Sequence, residues 1–169
     1  MAEYCEIERL PYAIVPEQLL DGVRISSTHI RKLIEQGDMD SAAEFLGHPH
    51  ILGGYVVAGR QLGRTIGVPT ANILIPEEVV MPRRGVYATE CLVDGLRYKA
   101  VTNIGSRPTV EGHQTRAESW LLDFEGDLYG KHVTMLFHKF LRPEQKFSSL
   151  EELKQQIQQD AAQAKTLLR

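Results

Sequence analysis

The sequence contains little cysteine, no excess of basic charge and no long apolar run. Its two cysteines among 169 residues, Cys5 and Cys91, are too few for a disulfide framework and are typical of reduced thiols in a cytosolic protein. Lys and Arg number 19 against 22 Asp and Glu, and this slight acidity disfavours a general nucleic-acid-binding protein. No segment approaches the length of a membrane span, and the N-terminus lacks the basic and apolar regions of a secretion signal. These absences predict a soluble, cytoplasmic protein with neither a membrane nor a nucleic-acid partner.

Helical periodicity is found near the two ends of the chain. Residues 26–46 predict a helix that is interrupted at Gly37 and resumes from Asp40 to Leu46, before Gly47. A capping box at residues 149–152 predicts the start of a C-terminal helix. Its apolar stripe consists of Leu150, Leu153, Ile157, Ala161, Ala164 and Leu168. We expect this stripe to pack on the rest of the domain.

Between the helical ends, short apolar segments alternate with turn residues. Asp94-Gly95 between two β-branched segments is a strong hairpin signal. The predicted strands cover residues 54–58, 86–93, 96–102, 116–124 and 132–141. Short strands without intervening helices favour a mainly β fold. We predict a small antiparallel, Greek-key-like β-barrel with a C-terminal α-helix, preceded by a short helical segment.

One glycine-rich segment carries most of the chemical information. Gly59, Gly63 and Gly67 recur every four residues, and Pro-Thr-Ala-Asn follows at 69–72. Glycines let backbone N–H groups converge on an anion, and a hydroxyl and an amide oxygen two residues apart suit Mg²⁺ beside phosphates. The segment is not a P-loop, because no Gly-Lys-Ser/Thr follows the glycines. It indicates nucleotide phosphate chemistry, and a glycine-rich turn that closes a barrel corner is the alternative.

This segment resembles the ATP-binding loop and the Pro-Thr-Ala-Asn motif of riboflavin kinases. Segments 103–109, 117–124, 123–131 and 140–147 also resemble that family, in matching order. The resemblance covers about residues 45–169. The chain departs from the family at 46–50 and 66–70, where Leu-Gly-His-Pro-His and Ile-Gly-Val-Pro-Thr replace Leu-Gly-Arg-Pro-Tyr and Leu-Gly-Phe-Pro-Thr. These departures put the affinity for adenine in doubt and leave the metal and base positions intact.

The resemblance implies ATP-dependent phosphorylation of riboflavin to FMN, with Mg²⁺ bound with ATP. The implied ATP-binding residues are Gly59, Gly63, Arg64, Gly67, Thr70 and Asn72, of which Thr70 and Asn72 would also bind the metal. The implied flavin contacts are Arg142, Glu144 and Phe147, and the implied substrate-covering loop contains Asn103, Arg107, Pro108 and Thr109. A non-catalytic module that binds a flavin or nucleotide for regulation is the alternative.

The resemblance also assigns the catalytic base to Glu118. We expect this residue to point inward, where burial would strengthen it as a base by disfavouring its charged form. The alternative is a solvated carboxylate at a strand edge.

The first 47 residues carry a second motif. Ser26, Ser27, Thr28 and Arg31 resemble the Ile-Ser-Ser-Thr-x-x-Arg motif of nucleotidylyltransferases, which offers a phosphate site at a helix N-terminus. In bacterial bifunctional FAD synthetases this motif directly precedes the riboflavin kinase module, but their His-x-Gly-His signature is absent here. We therefore expect residues 1–47 to be the C-terminal remnant of an adenylyltransferase module and residues 48–169 a riboflavin kinase domain. The missing module is a possible partner, and this chain alone is not expected to make FAD.

Overall fold

The computed structural model describes residues 2–8, 11, 13, 15–59, 63, 67–76, 78–109 and 112–168. Six antiparallel strands form a closed barrel in the order β3-β4-β7-β6-β5-β8, and a separate two-stranded ribbon pairs β1 with β2. The strands are β1 Leu19–Leu20, β2 Val23–Arg24, β3 His50–Val57, β4 Ala71–Leu74, β5 Gly85–Val93, β6 Leu96–Thr109, β7 Gly112–Leu121 and β8 His132–Arg142. The predicted mainly β barrel is confirmed.

Helices flank the barrel in sequence on both sides. They are α1 Ala2–Ile7, α2 Ser27–Gln36, α3 Met39–Leu46 and α4 Leu150–Leu167. The predicted break between α2 and α3 is confirmed, because Gly37 adopts φ 83° and ends α2. At α4, Ser149 accepts from the backbone N of Glu152, while the Glu152 carboxylate accepts from the N of Ser148, 2.9 Å away. Within the described residues, no helix is both long and apolar enough to cross a membrane.

The expected loop at residues 103–109 is a strand in the structure. β6 and β7 pair without interruption from Ala100 opposite Leu121 to Thr109 opposite Gly112. The prediction of a loop there was wrong, because long-range pairing with β7 extends the strand past Thr102. For residues 106–109 the structure describes the backbone, and their side chains lie outside the described part.

Helices α2 and α3 complete the interior core of the barrel. Ile34, Met39 and Ala42 are buried in the same apolar cluster as the interior residues of the strands. The backbone N of Arg83 donates to Ile34 O at 3.2 Å, which joins α2 to the segment before β5. Residues 27–46 therefore belong structurally to the barrel, and their assignment to another module stays a prediction.

A second apolar cluster lies outside the barrel, under α4. Ala161, Ala164 and Leu168 pack there on Val86 and Val101, with Trp120 at the margin. The predicted packing of the α4 stripe on the domain is confirmed for Ala161, Ala164 and Leu168, whereas Leu150 at its start is exposed. Because α4 covers this part of the wall, β5 and β6 are buried on both faces there.

Candidate active site

A row of residues crosses five neighbouring strands of the barrel wall. Asn72 on β4 pairs with Glu118 on β7, which pairs in turn with Asn103 on β6. Asn103 pairs with Val86 on β5, and Val86 pairs with Arg142 at the end of β8. Directly paired residues of antiparallel strands project to the same side of the sheet. The row therefore brings together predicted metal-binding, catalytic and flavin-binding residues that are up to 70 positions apart in sequence, from Asn72 to Arg142.

The row faces the outside of the barrel. Ala117 and Ser119, the neighbours of Glu118 on β7, are fully buried on the interior side. Successive strand residues alternate between faces, so Glu118 points outward and is exposed. The prediction of an inward Glu118 was wrong, because the small neighbours fill the interior positions. The alternative of a strand-edge carboxylate does not apply either, since β7 lies between β4 and β6.

A cavity of about 280 Å³ lies over this row. The barrel wall forms its floor, and side chains of α4 and of the segment that links β8 to α4 form its other walls. Its lining residues are Gly63, Val68, Thr70, Val86, Val101, Asn103, Glu118, Trp120, Arg142, Glu144, Gln145, Phe147, Leu153, Ile157 and Asp160. The floor is mostly apolar and carries a few polar groups at defined positions, which is typical of a small-molecule site.

The three predicted flavin contacts lie together at one end of the cavity. The Cζ atom of Arg142 lies 5.8 Å from the ring centroid of Phe147. Glu144 Oε1 accepts from Asn103 Nδ2 at 3.5 Å. Arg142 donates to the buried carboxylate of Asp160, with Nη2 and Oδ2 2.7 Å apart. Sequence reasoning missed Asp160, because its contact with Arg142 forms only when α4 packs on the barrel.

Asn72 has the donor atom that a cation site requires. Its side chain is buried, and its Oδ1 has no hydrogen-bond partner in the part of the chain that the structure describes. Buried amide oxygens are almost always satisfied, so an orphan of this kind fits a ligand that the protein alone does not supply. Thr70 lies two residues away at the cavity edge. One amide oxygen and one hydroxyl fit a Mg²⁺ ion that takes its remaining ligands from phosphates and water.

Two glycines pack closely against this part of the site: Gly59 lies against the Asn72 side chain, and Gly63 lies against Val68 and near Thr70. A Cβ on Gly59 would lie 2.2 Å from Asn72 Nδ2, and a Cβ on Gly63 would lie 2.1 Å from Val68 O and 3.4 Å from Thr70 Oγ1. A side chain at Gly59 would displace the Asn72 amide, and one at Gly63 would clash with the backbone of Val68. Gly67 adopts φ 76°, a conformation that favours glycine. Arg64 lies outside the described residues, so its predicted contact with ATP stays a prediction.

A smaller cavity of about 70 Å³ adjoins the larger one at Thr70, which lines both. It is lined by Val56, Pro69, Thr70, Ala71, Leu121, Phe124, Gly126, Asp127, Leu128 and Tyr129. The turn after β7 supplies half of these residues and corresponds to segment 123–131 of the sequence analysis. Because Thr70 lines both cavities, two ligands bound there would approach each other at this residue.

The second sequence motif lies elsewhere. Ser26 caps α2 by accepting from the backbone N of His29 at 3.3 Å. Ser27, Thr28 and Arg31 are exposed, and within the described residues none of them lines either cavity. A phosphate-binding role for this motif stays a prediction.

A barrel with two adjoining cavities, a carboxylate and a cation-suited oxygen pair has the groups that a small-molecule phosphotransferase requires. The riboflavin kinase family model matches residues 46–168, and the chain belongs to this family. A bifunctional riboflavin kinase/FMN adenylyltransferase of Escherichia coli strain K12 is 48% identical over 147 residues, which cover 85% of this chain and 46% of that protein. The chain spans about half the length of the curated relatives it matches and corresponds to their riboflavin kinase module.

Two solved structures share this fold. The riboflavin kinase of Trypanosoma brucei is 26% identical with a TM-score of 0.52, over 72% of this chain and 80% of that one. A Streptococcus pneumoniae chain described as a macrolide-efflux protein is 35% identical with a TM-score of 0.85, over 90% of this chain and 50% of that one.

Proposed function

We propose that this chain transfers the γ-phosphoryl group of ATP to the 5′-hydroxyl of riboflavin, which yields FMN and ADP. The observation that carries the proposal is the position of Thr70 between two cavities, with Asn72 and Glu118 paired directly beside it. In-line phosphoryl transfer requires donor and acceptor to meet from opposite sides of the moving group. This arrangement provides one cavity for each.

The larger cavity suits the acceptor. A base must contact the hydroxyl that it deprotonates, and Glu118 lines only this cavity among the two. Trp120 and Phe147 provide flat apolar surface for an isoalloxazine ring, and Glu144 and Asn103 provide polar edges. The smaller cavity, with Phe124, Leu128 and Tyr129, then takes the adenine end of ATP.

The phosphates would lie between the two cavities, over the Gly59–Gly67 segment. The close packing of Gly59 and Gly63 on Asn72 and Thr70 supports a backbone-lined cradle with the oxygen donors fixed beside it. Thr70 and Asn72 would hold Mg²⁺ there, and the ion would neutralise charge on the phosphates.

Glu118 would accept the proton of the ribityl hydroxyl. Its outward position between Asn72 and Asn103 in the row places the carboxylate among cavity-lining side chains, where a substrate can contact it. Asn103, its partner on β6, is held by Glu144 and would help to orient the acceptor. Arg107, Pro108 and Thr109 continue the same strand, and we retain them as candidates for covering bound substrate.

The curated relatives couple this module to an adenylyltransferase. We propose that such a module would act next on the FMN formed here, and that this chain by itself stops at FMN. A cytoplasmic location accords with both activities, since ATP and free flavins are small soluble substrates. A purely regulatory flavin-binding role is less well supported, because Thr70, Asn72 and Glu118 are all present and adjacent.

The test is to incubate the purified chain with riboflavin, ATP and Mg²⁺ and to separate the flavins by chromatography. We expect FMN without FAD, and loss of FMN when EDTA removes the metal. No FMN under varied nucleotide and metal conditions would favour the regulatory module. FAD formed by this chain alone would overturn the domain assignment.

A further inference from the structure

Asp160 is a buried carboxylate on the face of α4 that covers the barrel. Its side chain is 2% exposed, and its neighbours on this face, Ile157, Ala161 and Ala164, are apolar. A buried carboxylate is strongly unfavourable unless a cation and hydrogen-bond donors compensate it. Its presence beside an otherwise apolar stripe therefore requires a partner.

That partner is Arg142, the last residue of β8. Arg142 Nε donates to Asp160 Oδ1 and Oδ2 at 3.0 and 3.1 Å, and Nη2 donates to Oδ2 at 2.7 Å. Gln156 Nε2 adds a fourth hydrogen bond, to Oδ1 at 3.0 Å. This is the fork geometry that only an arginine offers a carboxylate. The guanidinium orientation is thereby fixed.

The pair also holds the segment that forms one wall of the larger cavity. Arg142 Nη1 donates to Pro143 O at 3.1 Å, and its guanidinium lies beside the Phe147 ring. Gln145 Nε2 donates to Gln156 Oε1 at 3.4 Å, so the residue that supports Asp160 also contacts this wall. Residues 143–147 are thus attached to α4 through Asp160 and its neighbour.

We propose that Asp160 is a positioning residue that sets the affinity of the larger cavity for the phosphoryl acceptor. It acts through Arg142, the only basic residue among the described residues that line this cavity. With Asp160 neutralised, the guanidinium would turn to the nearby Glu144 carboxylate, and the wall that carries Glu144 and Phe147 would lose its fixed form. The identity of the acceptor as riboflavin rests on the proposed function.

The effect should fall on binding rather than on chemistry. Glu118 lies on β7, and two strands, β6 and β5, separate it from Arg142 on β8. At ~4.8 Å per strand this separation is about 14 Å, and backbone pairing with Asn72 and Asn103 holds Glu118 in β7, so the wall can change without moving the base. Asp160 should therefore affect KM for riboflavin and leave kcat and KM for ATP nearly unchanged.

The experiment is steady-state kinetics of Asp160→Asn, together with riboflavin binding followed by flavin fluorescence. We expect KM and Kd for riboflavin to rise about tenfold or more, with kcat and KM for ATP within about threefold of the parent. Lys165→Gln is the matched control, because Lys165 Nζ pairs with Asp123 Oδ1 at 3.0 Å and also joins α4 to the barrel, outside the cavity. It should leave both riboflavin constants unchanged.

An unchanged riboflavin KM in Asp160→Asn, or a fall confined to kcat, would overturn the proposal. An equal rise in the Lys165→Gln control would also overturn it, because the effect would then reflect general loosening of α4. If Asp160→Asn does not fold, Gln156→Ala decides, because Gln156 does not line the cavity, donates to Asp160 and accepts from Gln145, so its loss should raise the riboflavin KM in the same direction. Absence of FMN with the parent chain would refute the proposed function instead, and the fluorescence titration would still report on Asp160.

Discussion

The polar side chains on the two faces of the barrel wall differ in their hydrogen bonding. On the interior face, Thr89, Thr102 and Ser119 are fully buried, and their hydroxyls form a chain with both O–O distances at 2.7 Å. On the outer face, Asn72 has an amide oxygen with no partner in the described residues, and Glu118 is exposed in a cavity. Interior polar atoms satisfy one another, whereas on the outer face the Asn72 oxygen and the Glu118 carboxylate are available to ligands. Alternate residues of the same strands should therefore control stability and activity separately.

The largest expected effect is on catalysis, from Glu118→Gln on the outer face. Loss of a positioned general base should lower the single-turnover rate of phosphoryl transfer by about 10²–10⁴-fold, with riboflavin and ATP binding within several-fold of the parent. The free energy of unfolding should change by less than about 0.5 kcal/mol, because no buried contact is lost. Glu125→Gln, an exposed carboxylate outside both cavities, is the control. Transfer at the parental rate in Glu118→Gln would remove this residue from the mechanism.

The corresponding interior change is Leu52→Ala on β3. Leu52 is 1% exposed, and deleting most of its side chain should lower the free energy of unfolding by about 2–5 kcal/mol. The rate per folded molecule should stay near the parental value, as urea denaturation and activity assays at 10 °C would show. Its neighbour Ile51 is 46% exposed on the outer face, so Ile51→Ala should cost less than about 0.5 kcal/mol. Equal losses in the two variants would contradict the division between faces.

A smaller effect is expected at Gly59, which packs closely against the side chain of Asn72 on the outer face. An added methyl in Gly59→Ala would overlap the Asn72 side chain and displace its oxygen. We expect the Mg²⁺ concentration for half-maximal rate to rise about 10–100-fold, as it should in Asn72→Ala. The double variant should be no worse than either single one, because both remove the same ligand. Additive effects would show that Gly59 acts independently of Asn72.

The smallest expected effect is a dependence of stability on pH through His50 on the interior side. Burial lowers the pKa of His50, with a further lowering from His48, although the hydrogen bond between Nε2 and Val80 O opposes them. Since the unfolded chain then binds the proton more readily, stability is complete above about pH 7 and is lost as pH falls through ~6.5. Urea titrations from pH 5 to 8 should show a decline of at most about 1.4 kcal/mol per pH unit, reduced in His50→Gln. An identical decline in that variant would assign the effect to other groups.

Local sequence patterns predicted the strands of the barrel, but they did not predict that β5 is buried on both of its faces. Asp94-Gly95 marks the β5–β6 hairpin because a two-residue turn is a short-range signal. Alternation does not distinguish the faces of β5, where Val86, Tyr87, Ala88 and Thr89 are all buried, because α4 covers the outer side. The inward prediction for Glu118 was wrong because Ala117 and Ser119 occupy the interior positions of β7. Which face carries a cavity depends on where a distant helix packs.

The motifs predicted one part of the site and missed another. Thr70, Asn72 and Glu118 could be grouped because each lies in a distinctive segment, and strand pairing then places Asn72 opposite Glu118. Asp160 and Trp120 lie in segments where each residue looks structural by itself. Their contribution arises when α4 packs on the barrel and closes the cavity. Such contacts join residues far apart in sequence, so no local pattern reveals them.

The most direct test of the outer-face site is a crystal structure of this chain grown with Mg²⁺, ADP and FMN. We predict flavin density in the larger cavity between the barrel wall and α4, with its phosphate directed toward Glu118. ADP should occupy the smaller cavity beside Phe124, and the metal should bind the Asn72 oxygen that lacks a partner here. Flavin inside the barrel, or ADP and flavin in exchanged cavities, would contradict this account.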